Sequence, residues 1–368
     1  MAYKYFQWLI CIVFSLVCIV LPFFTIGNDR LSGNQSLGGS FFLLVALGIL
    51  GILFSVFTLF SGRVKLGVKL HLIDLMVIVS VLFILINSLF FQNHVAVSYR
   101  FYDLISLALL YFAIRLIDRK NLILLFAFVV IGALFQVIYG ELQLYRLYPT
   151  LNSNFPITGS FFNPGPYSGY LTTVFPVAVG LYLFIDQWPG PDVSPFKGLI
   201  KYISLITILA VILVLSVTTS RAAWLALFFS SSFLFFFRYR WHINFREMLN
   251  TPTKRVGGFS LGLIMLLVVG LGLYYLKKDS ADGRTLIWKA SWGMIQDIPW
   301  TGIGFDRFQA GYMESQAAWF RNNPNDPAAP LADDVVYAFN EGIQLLVEQG
   351  MAGFILLLLI LLVAFRIR

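Results

Sequence analysis

Apolar runs dominate the chain, and their lengths decide its class. A helix rising 1.5 Å per residue needs about 20 residues to cross roughly 30 Å of hydrocarbon. Ten runs reach or approach that length: 6–26, 40–61, 70–91, 101–117, 121–140, 167–186, 200–218, 222–237, 257–276 and 342–365. The segments between them are short, apart from 141–166 and 277–341. The pattern predicts an all-α polytopic membrane protein with about ten transmembrane helices. One large extracytoplasmic loop, 277–341, lies between the ninth and tenth. The first run follows Lys4 but lacks a small-residue cleavage site, so it is read as a retained helix rather than a signal peptide. The chain divides into a five-helix membrane region, 1–140, and a second membrane domain, 141–368, that includes the large loop.

Basic residues set the orientation. With the N-terminus inside, the inner segments carry Lys4, then Arg63, Lys65 and Lys69, then Arg115, Arg119 and Lys120, then Lys197 and Lys201, then Arg238, Arg240, Arg246, Lys254 and Arg255. The outer connections before the large loop carry one each: Arg30, Arg100, Arg146 and Arg221. This alternation follows the positive-inside rule, from which long translocated loops are exempt. Both termini are expected in the cytoplasm. The chain stops at Arg366-Ile-Arg368, read as a cytoplasmic stop or a fragment boundary.

Composition sharpens the class. Hydrophobic residues make up 59% of the chain and charged ones 12%, against about 45–50% and 25% in soluble domains. A soluble fold of 368 residues could not bury 37 Phe. The net charge of +8 then reflects cytoplasmic loops, and no nucleic-acid partner is expected. Cys11 and Cys18 lie on one face of one helix and cannot bridge. His71, His94 and His242 are scattered, so no metal and no cofactor are expected.

Five constellations could carry chemistry, and all fall on the outer side. Thr158-Gly159-Ser160-Phe161-Phe162-Asn163-Pro164-Gly165-Pro166 cannot form a regular helix; its plainer reading is a helix start capped by Asn163 or Ser168. Thr218-Thr219-Ser220-Arg221 joins two runs with almost no loop, which leaves Arg221 at or below the outer interface. There it either snorkels to headgroups or faces a cavity and grips a phosphate bidentately. Asp282-Gly283-Arg284 opens a helix expected over 284–297, with Trp288 and Trp292 on one face. Arg284 in its first turn suits an anion, and the tryptophans suit the membrane interface. Gly302-Ile303-Gly304 is a turn after a proline; no strand precedes it and it faces away from cytoplasmic ATP, so no nucleotide site is expected. Asp333-Asp334 leads to Asn340-Glu341, and Glu341, Gln344 and Glu348 fall at i, i+3 and i+7 on one polar helix face. His71 and Asp74, three apart on the inner side, read as an interfacial hydrogen-bonded pair.

In order, Asn163-Pro164, Ser220-Arg221, Gly283-Arg284, Gly302-x-Gly304 and Asn340-Glu341…Glu348-x-Gly350 resemble the O-antigen ligase and polymerase superfamily. It includes the WaaL ligases, the Wzy polymerases and the protein O-oligosaccharyltransferases. The likeness covers roughly 150–365; the first five helices match only in count and hydropathy. The resemblance implies a GT-C-like, metal-independent glycosyltransferase of the bacterial inner membrane. Such enzymes move a glycan from an undecaprenyl-pyrophosphate carrier to a hydroxyl acceptor on lipid A–core, a growing glycan or a protein. It implies that Arg221 and Arg284 bind the pyrophosphate, to which Asn163 is added as a candidate here; Glu341, Asn340 and Asp334 are the candidates for catalysis.

Two departures stand out. Family ligases usually carry a histidine immediately before the asparagine, and Phe339 occupies that position here. Either Glu341, Asp334 or another acid is the base, or no strong base is used. Full ligases also often have about twelve spans. Two other classes compete: a lipid or solute transporter or flippase, and a non-catalytic protein that binds carrier lipid.

Overall fold

A computed structural model describes residues 11–13, 49–50, 53, 70–91, 99–115, 117–161, 163–188, 195–218, 220–241, 243, 250–276 and 278–366. The runs expected at 6–26 and 40–61 lie almost wholly outside the described residues, as do Cys18, His94 and His242. The described regular structure is helical and contains no strand. In chain order the helices are α1 (Leu72–Ile86), extended by a π-turn at Asn87–Phe91, α2 (Tyr99–Arg115), α3 (Leu122–Leu144), α4 (Pro164–Phe184), α5 (Lys197–Thr218), α6 (Arg221–Arg238), α7 (Pro252–Leu276), α8 (Lys278–Asp297), α9 (Phe308–Asn322) and α10 (Glu341–Arg366). Among the described residues, five stretches are long and apolar enough to cross a membrane: 72–90, 122–144, 164–187, 197–218 and 341–366. Helices α2, α6 and α7 coincide with three further apolar runs.

The chain forms two compact units, 1–66 with 109–261 and 67–108 with 262–368. In the first, α3, α4, α5 and α6 pack together. Lipid tails are as apolar as leucine, so the drive for such packing is close fit rather than escape from water. The contact surface is accordingly set with small residues: Ala133, Ala178 and Ser204 are fully buried beside Val130, Val211, Val214 and Leu215.

The loop before α4 folds back onto α3. Gln143 accepts from the Thr158 and Gly159 N–H groups at 3.0 and 2.8 Å and donates to the Gly159 carbonyl at 2.9 Å. Gln136 accepts from the Ser160 N–H and donates to the Ser160 hydroxyl. The Tyr167 hydroxyl donates to the Gln136 carbonyl at 2.9 Å. Irregular backbone at membrane depth is tolerated only where protein satisfies it, and two glutamines in an apolar helix supply that here. At the opposite end of α4, Lys201 pairs with Asp186 at 2.9 Å.

In the second unit α1 packs on α10, and α8 packs on α9 and α10. Its core holds Leu286, Ala290, Met294, Phe308, Tyr312, Ala338 and Val347. The large loop of the sequence reading is thus mostly two helices. α8 starts at Lys278, six residues before the expected start. At the head of α1, the Asp74 carboxylate accepts from the His71 backbone N–H at 2.7 Å, so this pair is a helix cap.

Candidate functional site

The second unit is organised around a break in α10. Gly350 has φ 62 and ψ −166 inside the helix, which interrupts the hydrogen-bond ladder. Segment 299–304 runs alongside and takes up the freed groups. Ile303 and Gly304 N–H donate to the Val347 and Glu348 carbonyls at 2.8 and 3.0 Å, while Met351 and Ala352 N–H donate to the Pro299 and Trp300 carbonyls at 2.8 and 3.2 Å. Two glycines permit this approach. A Cβ on Gly302 (φ +66) would sit 2.5 Å from the Val347 carbonyl oxygen, and one on Gly350 would sit 2.4 Å from the Trp300 carbonyl. Asn87, fully buried in the π-turn, donates to the Thr301 carbonyl at 2.7 Å and to Gln349 Oε1 at 3.2 Å.

A charged network closes the same region. Arg100 pairs with Glu348 at 2.9 Å and with Asp306 at 3.3 Å. Its guanidinium lies over the rings of Phe305 and Tyr337, 5.2 and 5.8 Å from their centroids. Glu348 is almost fully buried and also accepts from the Gln344 amide, whose oxygen accepts from the Ala338 N–H at 2.7 Å. Burial pushes the Tyr337 phenol up, against the opposing pull of Arg100, so the ring stays neutral.

The sequence-derived candidates of this unit fall at the head of α10 and around it. Asn340 caps the helix, its Oδ1 accepting from the Gly342 and Ile343 N–H groups at 3.0 and 3.2 Å. Glu341 is the exposed first residue, so the polar face divides: Gln344 and Glu348 are buried and Glu341 is not. Phe339 holds φ +52, outside the range a bulky side chain ordinarily adopts. It is held there from both sides, by the Asn340 cap and by Trp288 Nε1 donating to the Ala338 carbonyl at 2.9 Å. The Arg284 guanidinium lies 5.6 Å from the Phe339 ring centroid. Arg284 is exposed and forms no ion pair among the described residues, so its fork is available to an anion. Asp334 is exposed and accepts from Gln309 at 3.1 Å. Arg284, Phe339, Asn340 and Glu341 are therefore one neighbourhood, and Asp334 leads into it along the chain.

Two candidates belong to the first unit. Asn163 caps α4, accepting from the Gly165 N–H at 2.8 Å. Arg221 is the half-buried first residue of α6. At the far ends, Arg238 donates to the Leu183 carbonyl at 3.0 Å. Two packed helices of 21 and 18 residues that meet at their C-termini run in the same direction. Asn163 and Arg221 thus share one end of this unit.

Sequence reasoning missed Arg100, Asp306, Asn87 and Gln349. Arg100 stood out only as a lone loop charge, and its partners lie 206 and 248 positions along the chain. The Gly302-x-Gly304 and Glu348-x-Gly350 motifs were both visible; that one docks on the other was not.

The apolar helices define a multi-pass membrane protein. Residues 205–358 match the Wzy_C family model, described as O-Antigen ligase. The matched stretch is similar to that family and includes Arg221, Arg284, the docked turn and the head and break of α10. No curated protein and no solved structure matches the chain.

Proposed function

We propose that this protein is a membrane glycosyltransferase that moves a glycan from undecaprenyl pyrophosphate to an acceptor hydroxyl on the periplasmic side of the bacterial inner membrane. The observation that carries the reading lies inside the family-matched stretch: an exposed guanidinium, Arg284, over the ring of Phe339, two residues before the exposed carboxylate Glu341 that starts α10. The acceptor oxygen attacks the anomeric carbon, the bond from that carbon to the pyrophosphate oxygen breaks, and carrier pyrophosphate leaves. The acceptor proton passes to Glu341 or, failing that, Asp334. Arg284 balances charge building on the leaving pyrophosphate, for which a guanidinium fork is suited. Asn340 fixes the start of α10 and so the aim of Glu341. Arg221 is assigned to the same carrier by the family resemblance and Asn163 by its place at the same end of the first unit, each to be tested by its own variant. Acceptors of the superfamily are lipid A–core, a growing glycan or a protein.

The test is a gel of surface glycan from a deletion strain complemented with wild type, Arg284→Ala or Glu341→Ala. Deletion and Arg284→Ala should both lose long-chain glycan while carrier-linked precursor accumulates. Short chains on their anchor would mean a polymerase, and full-length chains left on the carrier a ligase. Undiminished transfer by a well-expressed Arg284→Ala protein would overturn the assignment of that arginine. Unaltered glycan on deletion would overturn the function.

A further inference from the structure

A groove of about 230 Å³ lies between α1 and α10 in the second unit. Phe83, Ile84, Leu345, Leu356 and Ile360 give it apolar walls; Ser80, Gln349 and Glu341 are its polar lining. Both flanking helices are apolar and long enough to cross a membrane, so this wall faces a medium in which an unpaired polar atom is costly. Ser80 is already engaged, its hydroxyl donating to the Met76 carbonyl at 2.9 Å. Gln349 is not. Its side chain is 1% exposed, and Nε2 has no hydrogen-bond partner.

The orientation of that amide follows from its neighbour. Asn87 must direct Nδ2 at the Thr301 carbonyl 2.7 Å away, since a side-chain oxygen there would repel it. The same Nδ2 then requires an acceptor from Gln349, which fixes Oε1 toward Asn87 at 3.2 Å. The Gln349 NH₂ group is left as a buried donor without a partner, on a residue that lines the groove. An occupant should therefore be apolar along Leu356 and Ile360, carry an acceptor at Gln349, and meet an anion at Glu341, eight residues or about 12 Å up the helix.

We propose that the groove binds a zwitterionic aminophospholipid of the bilayer. An ester carbonyl accepts from the Gln349 amide, one acyl chain lies along Leu356 and Ile360, and the ammonium faces Glu341. A polyprenyl chain has no acceptor at this depth, and an anionic head would meet the carboxylate. The site goes beyond the transferase reading and does not rest on it. An ammonium and an acceptor hydroxyl would compete for Glu341, so the test reads lipid retention rather than transfer.

The experiment is native mass spectrometry of the purified full chain, delipidated in detergent and given dioleoyl phosphatidylethanolamine, its ether-linked analogue without ester carbonyls, or dioleoyl phosphatidylglycerol. One net hydrogen bond of about 0.5–1.5 kcal/mol corresponds to retention of ester over ether lipid by about 2- to 12-fold. Gln349→Leu should abolish that preference, and Glu341→Gln should reduce the preference for the ethanolamine over the glycerol head. The ester–ether comparison is made on the wild type and needs no variant to fold. Equal retention of ester and ether lipids, a preference surviving Gln349→Leu, a preference for the glycerol head, or retention of no lipid would each overturn the proposal.

Discussion

Gly350→Ala tests the account of the broken helix most directly. The native φ of 62 with ψ −166 lies in a region essentially reserved for glycine, where a side chain costs about 1–3 kcal/mol. The added Cβ would also fall 2.4 Å from the Trp300 carbonyl and 2.6 Å from the Thr301 nitrogen. Both are backbone atoms and cannot swing aside. Segment 299–304 must retreat, which strains the bonds from Met351 to Pro299 and from Ala352 to Trp300, each worth about 0.5–1.5 kcal/mol net. The expected loss is about 2–6 kcal/mol, large for one methyl group. The assay is thermal unfolding of the purified protein in detergent. Wild type is compared with Gly350→Ala and with Gly169→Ala, a position in α4 with nothing within 4 Å of an added Cβ. Gly350→Ala should lower Tm by at least about 4 °C, while Gly169→Ala should leave it level or slightly raised. A Gly350→Ala protein that melts with the wild type would refute the docking of 299–304 on the break.

Four further outcomes are expected. Arg100→Met and Glu348→Gln should each destabilise by about 1–3 kcal/mol, and a double-mutant cycle of unfolding should show coupling above about 0.5 kcal/mol; perfect additivity would deny the pair. Gln143→Leu leaves the Thr158 and Gly159 N–H groups without their acceptor and should cost about 2–4 kcal/mol, seen as faster proteolysis of the 149–161 loop. The Asp326 carboxyl is held below its usual range, first by the Ala328 N–H, then by Trp319 Nε1 and Lys289. Its stabilisation is present above the ordinary carboxylate pKa of about 3.9 and lost as pH falls through the folded value, so a Tm advantage of wild type over Asp326→Ala at pH 7 should vanish in strong acid. On the transferase reading, Phe339→Leu removes an exposed cation–π contact of about 0.5–1 kcal/mol and should raise donor KM about 2- to 5-fold, with Phe339→Trp restoring it.

Helix positions were legible because a bilayer demands long apolar runs. The runs expected at 70–91, 121–140, 167–186, 200–218 and 342–365 reappear at 72–90, 122–144, 164–187, 197–218 and 341–366. The start of α8 was misplaced because Gly283 and the charges at 278–284 read as loop, although the helix runs through them. The break in α10 could not be read at all. Gly350 sits in an otherwise helical pattern, where a lone glycine costs only about 1 kcal/mol against alanine; only the chain segment lying against it shows why it is glycine. Gln136 and Gln143 likewise read as polar interruptions of an apolar run, until the loop they satisfy is seen. Candidate residues were visible by type and order, but the stacking of Arg284 on Phe339 required the fold.

The break in α10 bears on the choice between transfer and transport. Discontinuous membrane helices are a transporter device when the half-helix ends are free to hold a substrate or ion near the midplane. In α10 the carbonyls of Val347 and Glu348 and the N–H groups of Met351 and Ala352 are all taken by segment 299–304. Glu348 is taken as well, by Arg100, Gln344 and the Asp306 backbone. A break whose groups are consumed by the protein's own chain cannot coordinate a passing solute; it can fix a turn against a helix. What it fixes is the segment from Trp300 to Asp306, one turn below Gln344 and two below Glu341. The exposed groups are Glu341, Arg284 and Asp334, outside the break. That division, with the backbone groups of the break and Glu348 paired within the helix and exposed charged groups around its head, suits an enzyme acting at the membrane surface better than a path through it.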